Sequence, residues 1–244
     1  MVRDPSYSEM KRIVISLGGS VLVPSLESHR VAEYAAVLKA LASRAEVYVV
    51  VGGGGEARRY IAAARKMGIS EAYCDDLGIQ VTRLNASLLI GALGDAAAPV
   101  IPEDYRAALA LKSPGKILVM GGVTPAQTTD AVAAVLSEFV GADVMVNATA
   151  VDGIYSADPK KDPSATRYAH LSPGELIDII LREPMAAGSN TVIDAVAARV
   201  VQRSGIPLIV LDGRDPENFK AAVLTGTYTG TLVSESGKDP LPLE

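Results

Sequence analysis

The sequence predicts an α/β protein, a three-layer α/β/α sandwich around a mainly parallel central sheet. Three observations lead there. Short runs of Val, Ile and Leu alternate with Ala-rich segments of helical period, the pattern of parallel strands covered on both faces by helices. Most of these runs end directly in Gly, Asp or Thr, where a strand turns toward the next helix. The chain is 49% hydrophobic but only 5% aromatic, with two Phe and no Trp, so its core is filled by Ala, Val, Ile and Leu. At 244 residues and 21% charged side chains it is long and apolar enough for a full hydrophobic core.

Taken in order, residues 1–10 read as a polar N-terminal extension and 11–244 as one domain. Strands are expected over 13–17, 47–51, 117–120, 144–147 and 208–211. Helices are expected over 33–42, 57–66, 78–93, 131–139, 175–181 and 194–203. Residues 152–173 break the alternation with Pro159, Pro163, Pro173 and several charges. They read as a long loop or a small hairpin, and loops of that length in compact domains usually carry function. Residues 227–233 read as a short strand or hairpin before a polar tail. No repeat or low-complexity tract is present.

Charge and composition narrow the partners. A formal charge of −5 repels a phosphate backbone, and so few aromatics leave little for base stacking, so nucleic acid is not an expected partner. Cys74 is the one cysteine and the histidines are His29 and His170, too few soft ligands for structural zinc and compatible with a reducing cytoplasm. Lys11-Arg12 and the apolar residues that follow faintly resemble a signal peptide, but Gly18-Gly19-Ser20 and Pro24 interrupt the run. No uninterrupted apolar stretch approaches the roughly 18 residues a membrane helix needs. A soluble, cytoplasmic protein acting on a small ligand is expected.

Chemistry is sought at the strand ends, where open α/β sheets bind ligands. Gly52-Gly53-Gly54-Gly55 follows one expected strand and precedes a helix with Arg58 and Arg59. Glycines let a phosphate approach the backbone, and the helix start offers unpaired N–H groups at the positive end of its dipole. Gly18-Gly19-Ser20 follows the first strand in the same way, so the two loops hold two phosphorylated molecules or one long one. Neither is a Walker A loop. Gly52-x-Gly54-x-x-Ala57, with Asp75 or Asp76 downstream, formally fits a dinucleotide fingerprint. Residues 70–74 are no apolar strand, however, and that disfavours NAD.

Gly121-Gly122 ends another strand and Thr128-Thr129-Asp130 opens the next helix. One cap needs one such residue, so the others are free for a sugar or phosphate, and Asp130 could orient a lysine or a metal-bound water. The segment 149–163 carries Thr149, Asp152, Tyr155, Asp158 and the pair Lys160-Lys161. His29, His170 and Cys74 have no partners nearby in sequence.

In this order the motifs resemble the amino acid kinase superfamily and, within it, the uridylate kinases of archaeal type. The match runs from Lys11 to about Val233, through both glycine loops, Arg58, Asp75, Gly121-Gly122, Thr128-Thr129-Asp130, Val151-Asp152-Gly153 and Ala157-Asp158-Pro159. The resemblance implies the amino acid kinase fold and transfer of the ATP γ-phosphoryl group to UMP, giving UDP for pyrimidine biosynthesis. It also implies Mg²⁺ with ATP and a homohexamer built as a trimer of dimers. Position by position, it puts ATP against Gly19, Ser20, Gly54, Arg58, Thr149, Tyr155 and Asp158. UMP falls against Gly53, Asp75 and the stretch Val123, Thr124, Pro125, Ala126, Gln127, Thr128 and Thr129, with Asp75 reaching the ribose.

One position departs from the pattern. Many relatives carry a lysine on the first strand, in a Lys-x-x-Gly pattern, where this chain has Ser16. Charge at the transferring phosphoryl group then falls to Lys161, Arg58 and Mg²⁺, with Asp130 as the third catalytic candidate. Direct metal ligands remain unassigned. Two alternatives stand beside this expectation: an ATP-binding oxoanion store of the same fold, and a superfamily kinase acting on carbamate, acetylglutamate or isopentenyl phosphate. Asp75 discriminates against the latter, because those acceptors have no ribose.

Overall fold

A computed structural model describes residues 10–113, 115–159, 161–182 and 193–243. Lys160 and, apart from Met10, the N-terminal extension lie outside them. The chain runs β1 (Lys11–Leu17), α1 (Gly19–Leu22), α2 (Val31–Ala42), β2 (Ala45–Val51), α3 (Gly54–Lys66), α4 (Glu71–Leu93) and α5 (Tyr105–Ala110). It continues through β3 (Leu118–Met120), α6 (Thr129–Val140), β4 (Val144–Thr149), β5 (His170–Leu171) and α7 (Pro173–Arg182). It closes with α8 (Ala195–Ser204), β6 (Leu208–Asp212), α9 (Pro216–Thr225) and β7 (Gly230–Val233).

The strands form one sheet in the order β3-β2-β1-β4-β6-β7-β5. From β3 to β6 every pairing is parallel, so the carboxyl ends of β1, β2, β3 and β4 lie along one edge. β7 pairs antiparallel with β6, and β5, parallel to β7, runs the same reversed way. The period-2 pleat divides each central strand between two cores. On β1, Ile13, Ile15 and Leu17 face α1, α2, α4 and α9, packing against Leu22, Leu38, Leu89 and Phe219. Val14 faces the opposite layer, α5 to α8, with Val132, Leu136, Ala197 and Val201. Both faces are covered, which is why the strands read as continuous apolar runs, and the sandwich has the three layers expected.

All five expected strands form. Residues 227–233 supply β7 from Gly230 onward, and the irregular segment contains an antiparallel bridge between Tyr155 and Arg167, the hairpin alternative. Three helices were not legible: the short α1, where the sequence reads as a loop, α5, capped by Asp104, and α9, capped by Asp215 with Pro216 in its first turn. One boundary needs correction. The helix expected from Gly78 starts two turns earlier, at Glu71, and places Asp75 inside it. Gly78 is a helix-interior residue beside Ile61, where an added Cβ would lie 3.3 Å from that side chain.

α4 is long and apolar enough to cross a membrane by length and composition. Here it is a packed helix, burying Cys74, Ile79, Val81, Ala86, Leu89 and Leu93.

Candidate active site

The register of β1 against β2 pairs Leu17 with Val51, so the two glycine loops leave the sheet side by side. Gly52 N–H donates to the Leu17 carbonyl at 2.9 Å, and Gly18 N–H donates to the Ala148 carbonyl at 3.0 Å. Beyond that point the backbones touch. A Cβ on Gly19 would lie 2.2 Å from the Gly54 nitrogen, and one on Gly52 would lie 2.6 Å from the Gly19 nitrogen. Gly54 itself sits at φ 65°, the left-handed region that glycine enters without cost. The loops therefore build one continuous cradle. The glycine loop is also shorter than it looked, because α3 begins at Gly54 and its first turn faces Gly19.

Arg58, one turn into α3, donates from Nη2 to the Ser20 hydroxyl at 3.2 Å, joining the loops by side chains as well. Thr149 ends β4 on the other flank of β1, where its carbonyl accepts from Gly213 N–H at 2.8 Å. Tyr155 and Asp158 lie farther along the same connection. The Tyr155 hydroxyl donates to the Asp152 carboxylate at 3.0 and 3.1 Å, and burial with that neighbouring charge raises the phenol's pKa. Asp158 pairs with Lys161 at 3.6 Å, and the lysine side chain is 84% exposed. Among the described residues, the ion pair with Asp158 is where Lys161 is held.

α4 assembles the opposite wall. Asp75 accepts from the N–H of Ala126 at 2.8 Å, and Ala126 is the non-glycine residue that adopts positive φ, 62°, among the described residues. Two helical turns on, the Thr82 hydroxyl accepts from Gly122 N–H at 2.7 Å. Asn85, buried, donates from Nδ2 to the Gly52 and Gly53 carbonyls at 2.9 and 3.3 Å. Spacings of seven and three residues put these three on one face of the helix. One element thus holds Gly53 of the cradle and the 121–129 loop at its start and its middle. Thr82 and Asn85 were missed from the sequence, although polar residues inside an apolar helical stripe are the signal that marks them.

Within that loop, Val123 and Gln127 are half-buried while Thr124, Pro125 and Ala126 are exposed. The Gln127 side-chain oxygen accepts from the Tyr105 hydroxyl at 3.1 Å. Thr128 caps α6, accepting from Ala131 N–H at 3.1 Å, and its hydroxyl also donates to Asp194. Thr129 begins the helix, leaving its side chain clear of the capping role.

Asp130 lies at the meeting of β1, β4 and α6. It accepts a 2.7 Å hydrogen bond from the Ser16 hydroxyl. It keeps some accessible surface, yet enough protein surrounds the carboxyl that burial, seconded by the charge of Asp194, pushes its pKa up to about 6; bonds from Ser16 and Asn147 oppose the rise.

No three His, Cys, Asp or Glu side chains gather to hold a metal among the described residues. What the edge offers instead is a backbone cradle that any side chain would fill, an arginine at a helix start, and a hydroxyl-rich loop facing an aspartate. That set suits the phosphates of one nucleotide and the sugar of another.

The model of the amino acid kinase family matches residues 11–212. A uridylate kinase of Methanoculleus marisnigri is 61% identical over 96% of this chain and 100% of its own length. A crystal structure of uridylate kinase from Archaeoglobus fulgidus superposes with a TM-score of 0.82 at 47% identity, covering 91% of this chain and 100% of that one. UMP kinase from Bacillus anthracis, at 25% identity, superposes with a TM-score of 0.76 over 93% of this chain and 97% of that one.

Proposed function

Because this chain belongs to the amino acid kinase family, we propose that it is a UMP kinase, transferring the γ-phosphoryl group of ATP to UMP to give UDP and ADP in pyrimidine nucleotide biosynthesis. The observation that carries this reading is the convergence of two glycine loops and the Asp75-bound loop on one sheet edge, in a chain whose relatives at 53–61% identity are named uridylate kinase. ATP enters against Gly19, Ser20, Gly54, Arg58, Thr149, Tyr155 and Asp158. UMP enters against Gly53, Asp75 and residues 123–129, its ribose toward Asp75.

In the reaction an oxygen of the UMP phosphate forms a bond to the γ-phosphorus while the bond from that phosphorus to the β,γ-bridging oxygen breaks. The displaced electron pair leaves on ADP. Catalysis of this kind is positioning plus stabilisation of moving negative charge, and no covalent enzyme intermediate is needed. The cradle supplies backbone N–H groups, Arg58 and Lys161 supply positive charge, and Asp130 supplies a fixed carboxylate at the floor. Mg²⁺ would enter on the phosphates of ATP, neutralising them. Residues 11–244 act as one domain, assembled as a hexamer of three dimers in the cytoplasm. An oxoanion store has no use for a second wall built around Asp75, and the uridylate kinase relatives weigh against it.

The test is release of ADP from ATP with each nucleoside monophosphate in turn. UMP should be phosphorylated and AMP and GMP poorly so. Release independent of the monophosphate, or none with any, would remove the kinase reading.

A further inference from the structure

Ser16 is 1% exposed near the carboxyl end of β1 and pairs in register with Asn147 of β4, also 1% exposed. Their neighbours Val14 and Met145, two residues back, belong to the core beneath α6, so both polar side chains point toward that layer. A hydroxyl and an amide in such a core cost free energy unless each finds a partner. Both find the same one. Ser16 Oγ donates to Asp130 Oδ1 at 2.7 Å, and Asn147 adds a second side-chain bond to that carboxyl.

The groups acting on Asp130 come from three elements. Ser16 on β1 and Asn147 on β4 favour the charged form, whereas Asp194, the cap of α8, opposes it by like charge. Asp130 itself stands in the first turn of α6, where the helix dipole also favours an anion.

We propose that Ser16 is a positioning residue for phosphoryl transfer, holding the carboxylate of Asp130, together with Asn147, fixed and ionised at the floor of the site. The inference rests on the kinase reading above. In this reading Ser16 acts through Asp130 rather than on a nucleotide directly. Two residues beyond Ser16 the chain becomes Gly18, whose loop forms the cradle, so the charge that Ser16 steadies sits next to the phosphates. A preorganised charge contributes to transition-state stabilisation because it need not reorient during reaction.

The test is the variant Ser16→Ala, with two readouts. In the nucleotide-free protein, the NMR titration of the Asp130 side-chain carboxyl should move up by about one pH unit, the effect of losing one hydrogen bond to a charged acceptor. In steady-state kinetics kcat should fall roughly tenfold to a hundredfold, with KM for UMP and ATP within about twofold and the acid limb of kcat shifted to higher pH. Ser16→Thr keeps the hydroxyl and should restore both the titration and kcat. An unmoved Asp130 titration overturns the proposal, as does an unchanged kcat in Ser16→Ala, or a Thr variant as impaired as the Ala variant. If the wild-type protein phosphorylates no UMP, the kinase reading fails instead, and the titration still decides whether Ser16 holds Asp130.

Discussion

Asp75 on α4 accepts a 2.8 Å hydrogen bond from the backbone N–H of Ala126, 51 residues later in the loop proposed to receive UMP. The bond holds that loop at the residue where its backbone enters the left-handed region. A carboxylate has acceptor capacity for ribose hydroxyls in addition to one amide. Asp75→Ala is therefore expected to weaken UMP binding about tenfold or more, from roughly 1.5 to 3 kcal/mol per lost charged bond, and to leave ATP affinity nearly intact. Calorimetric titration with each nucleotide checks this. Equal losses for both would make Asp75 a structural latch only.

The glycine cradle permits no side chain at Gly19. An added Cβ would sit 2.2 Å from the Gly54 nitrogen and 2.4 Å from the Gly52 carbonyl oxygen, both rigid backbone. Gly19→Ala should separate the two loops, cost about 3 kcal/mol or more of stability, and abolish ATP binding. Gly91→Ala is the control, because nothing lies within 4 Å of that added Cβ. A Gly19→Ala protein that binds ATP normally would disprove the cradle.

Asp130 links stability to pH. Burial and Asp194 raise its pKa from 3.8 to about 6. Between those values the native state keeps a proton that the unfolded chain has released, so this group's contribution falls as pH rises through that window and is constant above it. Asp130→Asn should gain about 1 to 3 kcal/mol at pH 7 relative to wild type, much less near pH 4, and should lose phosphoryl transfer. Urea denaturation at the two pH values measures the difference; a gain independent of pH would show that ionisation is not its cause.

Lys161 is expected to meet the transferring phosphoryl group once ATP is bound, giving up its exposed pairing with Asp158. A cation acting mainly in the transition state changes kcat rather than binding, so Lys161→Ala should lower kcat on the order of 10³-fold with nucleotide affinities retained. Lys160→Ala should do much less. Near wild-type turnover in Lys161→Ala would place the catalytic cation elsewhere.

Assembly should be visible on α4. Tyr73, Leu84 and Leu88 leave 55%, 63% and 46% of their surfaces exposed on that helix, apolar area that a subunit contact would cover. Light scattering at micromolar concentration is expected to report a hexamer, and Leu84→Glu with Leu88→Glu to produce smaller species. A monomeric wild-type protein would contradict the assembly.

The residues that could be read from the sequence are those whose meaning is local. A run of β-branched residues ending in glycines specifies strand, turn and helix start within a dozen positions, and Thr128 caps α6 through Ala131, three residues away. That is why the sheet, the glycine loops and the order of motifs were legible. The start of α4 was misplaced: its first two turns, from Glu71, were not read as helix, and the helix runs on through Gly78.

Only tertiary structure decided what those local pieces do together. Ser16 and Asp130 are 114 residues apart, Asn85 and Gly52 are 33 apart, and each pair meets through a bond that no spacing encodes. Read alone, Ser16 is a position without its cation; set beside Asn147 by the β1–β4 register, it becomes one of two donors to a single buried carboxyl. The physical reason is that strand register and helix docking are settled by the burial of whole apolar faces. Polar side chains placed by that burial must find partners wherever it brings them.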